Sequence, residues 1–99
     1  MEKLKFEFEA TKPIDRPVHV GVVASGDLEV IMRPTVAKKA TLEIVTGSDG
    51  FKEVWNNVLT RFFARYPLQA SFQINDFGAT PGVVNLRLTQ AMEALNDEE

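Results

Sequence analysis

FKEVWNNVLTRFF, residues 51–63, is the most regular pattern in the chain and predicts an amphipathic helix. Its apolar residues recur every three or four positions, which places their side chains on one face of an α-helix. Ser48-Asp49 offers a helix cap before the pattern, and Pro67 ends it. We expect this face to be buried in a core rather than to serve as an aromatic binding surface. It consists of Phe51, Val54, Trp55, Val58, Leu59, Phe62 and Phe63.

The segments on either side of this helix alternate between apolar and polar residues, which is the period of a half-buried β-strand. Strands are predicted at residues 4–8, 18–23, 28–33 and 41–46 before the helix, and at 70–74 after it. Residues 11–17 contain two prolines and are predicted as a connection. Residues 75–79 are predicted as a loop.

A second helix is predicted after that loop. Thr80 is a favourable N-cap, and Pro81 suits the first helical position. Val84 and Leu88 then lie on one face of the predicted helix. Residues 84–88 also alternate as a strand would, so the sequence leaves both alternatives open here.

Together these elements predict an α+β fold in a single domain, residues 1–99. We expect a mostly antiparallel sheet of about five strands, with two helices packed on one face. Each helix has one apolar stripe to bury, and one face of a sheet accommodates both stripes.

The composition excludes several kinds of chemistry. The chain has no cysteine and one histidine, so it offers neither a disulfide framework nor a zinc ligand set. Its net charge of −3 argues against a nucleic-acid partner, because such proteins usually present a basic face. The charged, alternating start and the lack of a run of about 20 apolar residues predict a cytoplasmic protein without membrane insertion.

Ser25 is the candidate functional residue. It belongs to the polar tip Ser25-Gly26-Asp27 between two apolar runs, and the tip predicts a hairpin turn in which Gly26 supplies a positive φ. No histidine lies nearby to activate the hydroxyl, and the Gly-x-Ser-x-Gly pattern fails because Val23 occupies the first glycine position. Ser25 is therefore either a turn residue or a point at which another enzyme attaches a group.

The remaining candidates have simpler structural explanations. His19 is predicted on the outer face of its strand, without a partner nearby in sequence. Asp76-Phe77-Gly78 resembles a kinase motif, but the rest of that apparatus is absent. The segment 75–82 is either a turn or a contact surface for a partner. No group of acidic residues has the spacing of a calcium loop, so we predict no metal site.

Four segments resemble the acyl carrier (delta) subunits of bacterial malonate decarboxylase, over essentially the whole chain. They are LKFEF (residues 4–8), ASGDLEV (24–30), DFGATPGVV (76–84) and LRL (86–88). A more distant similarity to the carrier subunit of citrate lyase is also predicted. The Asp-Ser-Leu motif of fatty-acid carriers is absent, which makes ordinary phosphopantetheine less expected.

The resemblance implies that Ser25 carries 2'-(5''-phosphoribosyl)-3'-dephospho-coenzyme A through a phosphodiester. The thiol of that group would carry the acetyl or malonyl group as a thioester. The chain has no cysteine, so it has no thiol of its own for this purpose. Gly26 would leave room for the modifying enzyme, and Asp27 would support the loop. The implied partners are an acetyl/malonyl transferase subunit, decarboxylase subunits and a prosthetic-group transferase. The carrier itself would catalyse no step.

Two alternatives belong to other functional classes. The first is a cofactor-free interaction subunit of a multi-protein complex, for which Ser25 would be dispensable. The second is a small stand-alone enzyme that uses His19 with Asp27 or Asp76, although the spacing of these residues gives it no support.

Overall fold

The structure is a computed structural model and describes residues 1–96. It contains a mixed sheet and two helices, which confirms the predicted α+β class. The strands are β1 (Glu2–Glu9), β2 (Lys12–Pro13), β3 (Val18–Gly21), β4 (Asp27–Pro34), β5 (Lys39–Thr46) and β6 (Leu68–Phe77); the helices are α1 (Lys52–Arg65) and α2 (Pro81–Asn96).

Five strands form the main sheet in the order β1-β5-β6-β4-β3, and β2 pairs with the start of β6. The neighbours in the main sheet are antiparallel except for β5 and β6. A parallel pair needs a crossover connection, and α1 provides it between β5 and β6. β6 therefore lies between β5 and β4, at the centre of the sheet.

One hydrophobic core lies between the sheet and the helices. Alternate residues along most of β4, β5 and β6 are buried, for example Val30, Ile44 and Ile74. Leu59 of α1 and Leu88 of α2 are completely buried against this layer. The period-two pattern of the strands and the helical stripe thus meet in the same core, as the sequence predicts.

The first turn of α1 differs from the prediction. Ser48 and Asp49 do not cap the helix, which begins after Phe51 without a side-chain cap. The backbone N–H of Ser48 instead donates to Thr46 Oγ1 at 3.2 Å. Phe51 and Val54, predicted to be buried, are 49% and 39% exposed. The reason is a cleft between the first turns of α1 and α2, which leaves this end of the stripe uncovered.

The structure shows that one predicted loop is wrong and decides one alternative that the sequence leaves open. β6 extends through residues 75–77, which were predicted as loop, because β4 and β5 supply hydrogen-bonding partners on both sides as far as Asp76. Residues 84–88 belong to α2 rather than to a strand. Thr80 caps that helix as predicted, since its Oγ1 accepts the N–H of Val83 at 3.3 Å. The predicted connection 11–17 contains the short strand β2.

Candidate functional site

Ser25 lies in residues 22–26, the loop between β3 and β4, which we call the tip loop. All five residues of this loop are exposed. Within the described chain, no hydrogen bond involves the Ser25 hydroxyl. The side chain is therefore available to another protein, and nothing here activates it as a nucleophile.

The base of the tip loop is held by backbone hydrogen bonds. The N–H of Gly26 donates to the carbonyl of Phe77 at 2.7 Å, and the N–H of Asp27 donates to that of Ala24 at 3.0 Å. Gly26 has the predicted positive φ, 78°. These bonds hold the two neighbours of Ser25, Ala24 and Gly26, against the start of β4 and the end of β6. The exposed hydroxyl of Ser25 therefore lies on a loop whose base is hydrogen-bonded to the sheet.

Gly21 determines where β3 ends. Its φ is 83°, and a Cβ at this position would overlap the carbonyl oxygen of Leu28. Only glycine allows the two backbones to approach so closely. As a result Val22 and Val23, predicted as strand, lie in the loop and are about half exposed (54% and 58%).

Asp27 is bound to a residue that sequence reasoning missed. Arg87 of α2 donates to its two carboxylate oxygens, from Nε at 3.0 Å and from Nη2 at 2.5 Å. Arg87 Nη1 is held in turn by Gln90 Oε1 at 2.9 Å. This fork-to-carboxylate geometry ties the start of β4 to α2. The sequence does single out Arg87, because it is the sole cationic residue of α2 and is therefore the one residue of that helix that can pair with a carboxylate.

The Arg87 hydrogen bonds lower the pKa of the Asp27 carboxyl below its ordinary value, and the hydrogen bond from the Leu28 N–H adds to this effect. An acidic carboxylate that is already fully paired is a poor proton acceptor. The carboxylate of Asp27 is therefore engaged in linking the start of β4 to α2.

Removing this anchor should loosen the tip loop. We expect Arg87→Met to accelerate amide hydrogen exchange at Asp27 and Leu28 severalfold, because the carboxylate loses both side-chain donors. Arg33→Met, at an exposed strand position, is the matched control and should leave exchange at these amides unchanged. Equal exchange in the two variants would contradict an anchoring role for Arg87.

The Asp27–Arg87 pair also predicts a pH dependence of stability. A carboxyl whose folded pKa is depressed stabilises the fold above its unfolded pKa, about 3.9, and this contribution is lost as pH falls through the folded value. We expect the stability difference between wild type and Asp27→Asn to be constant near neutral pH and to shrink in strong acid. Urea unfolding over a pH series measures it, and a difference that grew on acidification would disprove the assignment.

The structure does not bring together the residues of a stand-alone enzyme. His19 is exposed on the outer sheet face, as predicted, and its Nε2 lies 2.7 Å from Glu29 Oε2. Asp76 is buried on the opposite face, where its oxygens accept from Thr46 Oγ1 at 2.8 Å and from the Ala79 N–H at 2.9 Å. Because Asp27 is bound to Arg87, neither predicted acid pairs with His19.

Residues 1–96 show neither a metal-binding cluster nor a membrane-spanning helix. They contain no cluster of three or more histidine and acidic side chains arranged to bind a metal ion. Neither helix combines the length and apolarity that crossing a bilayer requires.

Comparison with known proteins identifies the family of this chain. The family model for the malonate decarboxylase delta subunit (MdcD) matches residues 15–95. The chain belongs to this family. The malonate decarboxylase acyl carrier protein of Azotobacter vinelandii is 45% identical, over 98% of this chain and 99% of that protein. Its counterpart from Stutzerimonas stutzeri is 43% identical, over 99% and 100%.

A solved malonate decarboxylase structure extends the similarity to three dimensions. A chain in the crystal structure of a Pseudomonas malonate decarboxylase hetero-tetramer in complex with malonate superimposes with a TM-score of 0.91. It is 42% identical, and the match covers 96% of this chain and 99% of that one. The predicted resemblance to malonate decarboxylase carriers is thereby confirmed, whereas the relation to citrate lyase stays a prediction.

Proposed function

We propose that this chain is the acyl carrier subunit of malonate decarboxylase and that Ser25 is its attachment site. The prosthetic group would be 2'-(5''-phosphoribosyl)-3'-dephospho-coenzyme A, whose thiol supplies the acetyl and malonyl thioester chemistry. The observation that carries the proposal is the position of Ser25, exposed and unpaired at the end of a firmly anchored hairpin.

The tip loop fits such a group. Attachment requires a hydroxyl that reaches the active site of a transferase, and the transferase supplies the base. Gly26 has open space where a Cβ would stand, so no side chain flanks Ser25 on that side. Asp27, held by Arg87, keeps the loop in place without competing for the hydroxyl. A rigid base under a long tether raises the effective concentration of the acyl group at neighbouring active sites.

The same role defines the partners. The group has to be attached by a prosthetic-group transferase, charged by an acetyl/malonyl transferase subunit and presented to decarboxylase subunits. The hetero-tetramer that contains the similar Pseudomonas chain supports an assembly of this kind. We therefore propose a single cytoplasmic carrier domain that is not an enzyme on its own.

Intact-mass measurement of the chain purified from its native complex tests the proposal. We expect one covalent adduct with the mass of the nucleotide-linked group, and peptide mapping should place it on Ser25. Catalytically active complex that contains only the unmodified chain would overturn the proposal. An adduct of phosphopantetheine mass would overturn the identity of the group, and an adduct elsewhere would overturn the site.

A further inference from the structure

The cleft at the first turns of α1 and α2 is a feature that the tip loop does not explain. Its volume is about 300 Å³, at the lower end of the range for small-molecule pockets. The walls are mainly apolar, and Phe51, Val54, Trp55 and Val84 form much of them. Two of these side chains, Phe51 and Val54, are left substantially exposed although they lie on the core stripe of α1. Such a surface favours an apolar ligand.

The cleft adjoins the base of the tip loop. Gly78 lines it, and a Cβ placed on Gly78 would lie 3.7 Å from the backbone nitrogen of Gly26. Gly26 follows Ser25 directly and is hydrogen-bonded to Phe77. The attachment point therefore lies next to Gly26, which neighbours Gly78 of the cleft wall, and a flexible arm has to fold back on itself to bring its acyl end there. Since tethering on this scale gives effective concentrations on the order of millimolar, even a weak site would be occupied.

One acidic group contributes to the cleft. Asp76 lines it, and its two oxygens accept hydrogen bonds from Thr46 and Ala79. No lysine, arginine or histidine is among the residues that line it. A second carboxylate entering this space would lose its hydration and meet a like charge, and both effects oppose binding. An uncharged acyl group meets neither penalty.

We propose that this cleft is a resting site for the acetylated end of the arm on Ser25 and that it excludes the malonylated end. The inference rests on the proposed function. The acetyl thioester would be sheltered from water between transfers, whereas the charged malonyl group would stay in solvent, accessible to the decarboxylase subunits. The carrier would in this way distinguish the two acyl states by charge.

Trp55 provides a direct readout, because it lines the cleft and is the single tryptophan of the chain. The modified full-length carrier from the native complex is prepared in its acetyl, malonyl and free-thiol forms. We expect the Trp55 emission of the acetyl form to differ from that of the malonyl form. In Asp76→Asn, which keeps the shape of the side chain, we expect this difference to shrink because the charge penalty falls.

Hydrolysis of the acetyl thioester supplies a second measurement. Val58→Phe adds volume to the cleft wall and should raise the hydrolysis rate severalfold by displacing the acetyl group. Val36→Phe, at a position that is 98% exposed and beyond the far end of β4, is the matched control and should leave the rate unchanged. The emission comparison uses the wild-type chain, so it decides the question even where Val58→Phe perturbs folding.

The failure of this inference is distinguishable from failure of the proposed function. If intact mass shows no adduct on Ser25, the carrier assignment fails before any cleft measurement is made. If the adduct is present but Trp55 emission is the same in the acetyl and malonyl forms, the resting site is disproved and the carrier function stands.

Discussion

Ser25→Ala is expected to reduce malonate turnover by the assembled complex to background while leaving the stability of the chain unchanged. Under the proposed function every turnover depends on a group attached at Ser25, so loss of the hydroxyl should remove the activity completely rather than partially. The hydroxyl makes no hydrogen bond within the described residues, and surface substitutions of this kind change stability by less than about 0.5 kcal/mol. Activity of the reconstituted complex and thermal unfolding of the isolated chain measure the two effects.

Ser71→Ala is the matched control for that experiment. Ser71 is also an exposed serine, but it lies on the outer sheet face, in the half of β6 remote from the tip loop. We expect its complex to retain full activity. Full activity of Ser25→Ala would instead support the cofactor-free interaction subunit, the alternative that the sequence alone leaves open.

Much of the fold could be predicted because local patterns and global packing agree. Four residues of the α1 stripe are buried as their spacing indicates: Trp55, Leu59, Phe62 and Phe63. The alternation in β4 and β5 places Val30 and Ile44 in the core. The hairpin at Ser25 follows from two apolar runs separated by a glycine-containing tip. These features depend on residues close together in the sequence, where periodicity carries the information.

The features that were missed depend on contacts between distant segments. The Asp27–Arg87 pair joins residues 60 positions apart, and no local pattern links them. Residues 75–77 form a strand because β4 pairs with all three of them and β5 with the first two. Phe51 and Val54 are exposed because α2 does not cover the first turn of α1. Helix periodicity alone does not predict this. The candidate site therefore combines a predictable tip with an anchor and a cleft that only the tertiary structure reveals.

The tip loop depends on the core beneath it, since it connects β3 and β4 of the main sheet. Phe63 is the best point at which to test this dependence. It is 5% exposed and its ring contacts three others: it stacks on Phe8 of β1 with centroids 5.0 Å apart, and meets Phe62 and Phe72 edge-on at 5.1 and 5.4 Å. The residue thus joins an edge strand, α1 and the central strand in one aromatic cluster.

We expect Phe63→Ala to lower the free energy of unfolding by about 3–5 kcal/mol, because it removes buried apolar surface and leaves a cavity. A domain of this size has a total stability of about 5–15 kcal/mol, so the loss is a large fraction. The melting temperature should fall by more than about 10 °C. Urea unfolding and thermal melting measure the change, and Phe63→Leu, a smaller truncation expected to cost less than Phe63→Ala, covers the case in which the alanine variant does not fold.

Phe51→Ala is the control that isolates burial from residue type. Phe51 belongs to the same apolar stripe in sequence, but it is half exposed at the cleft, so its truncation should cost under about 1 kcal/mol. Equal destabilisation by the two substitutions would mean that the first turn of α1 packs as tightly as the middle of the helix. The cleft would then be closed in solution, and the sheltered site proposed for the acetyl group would not exist. If Phe63→Ala destabilises the chain more than Phe51→Ala, the tightly packed part of α1 is the part that contacts β6. The first turn of α1 is then accessible to a ligand.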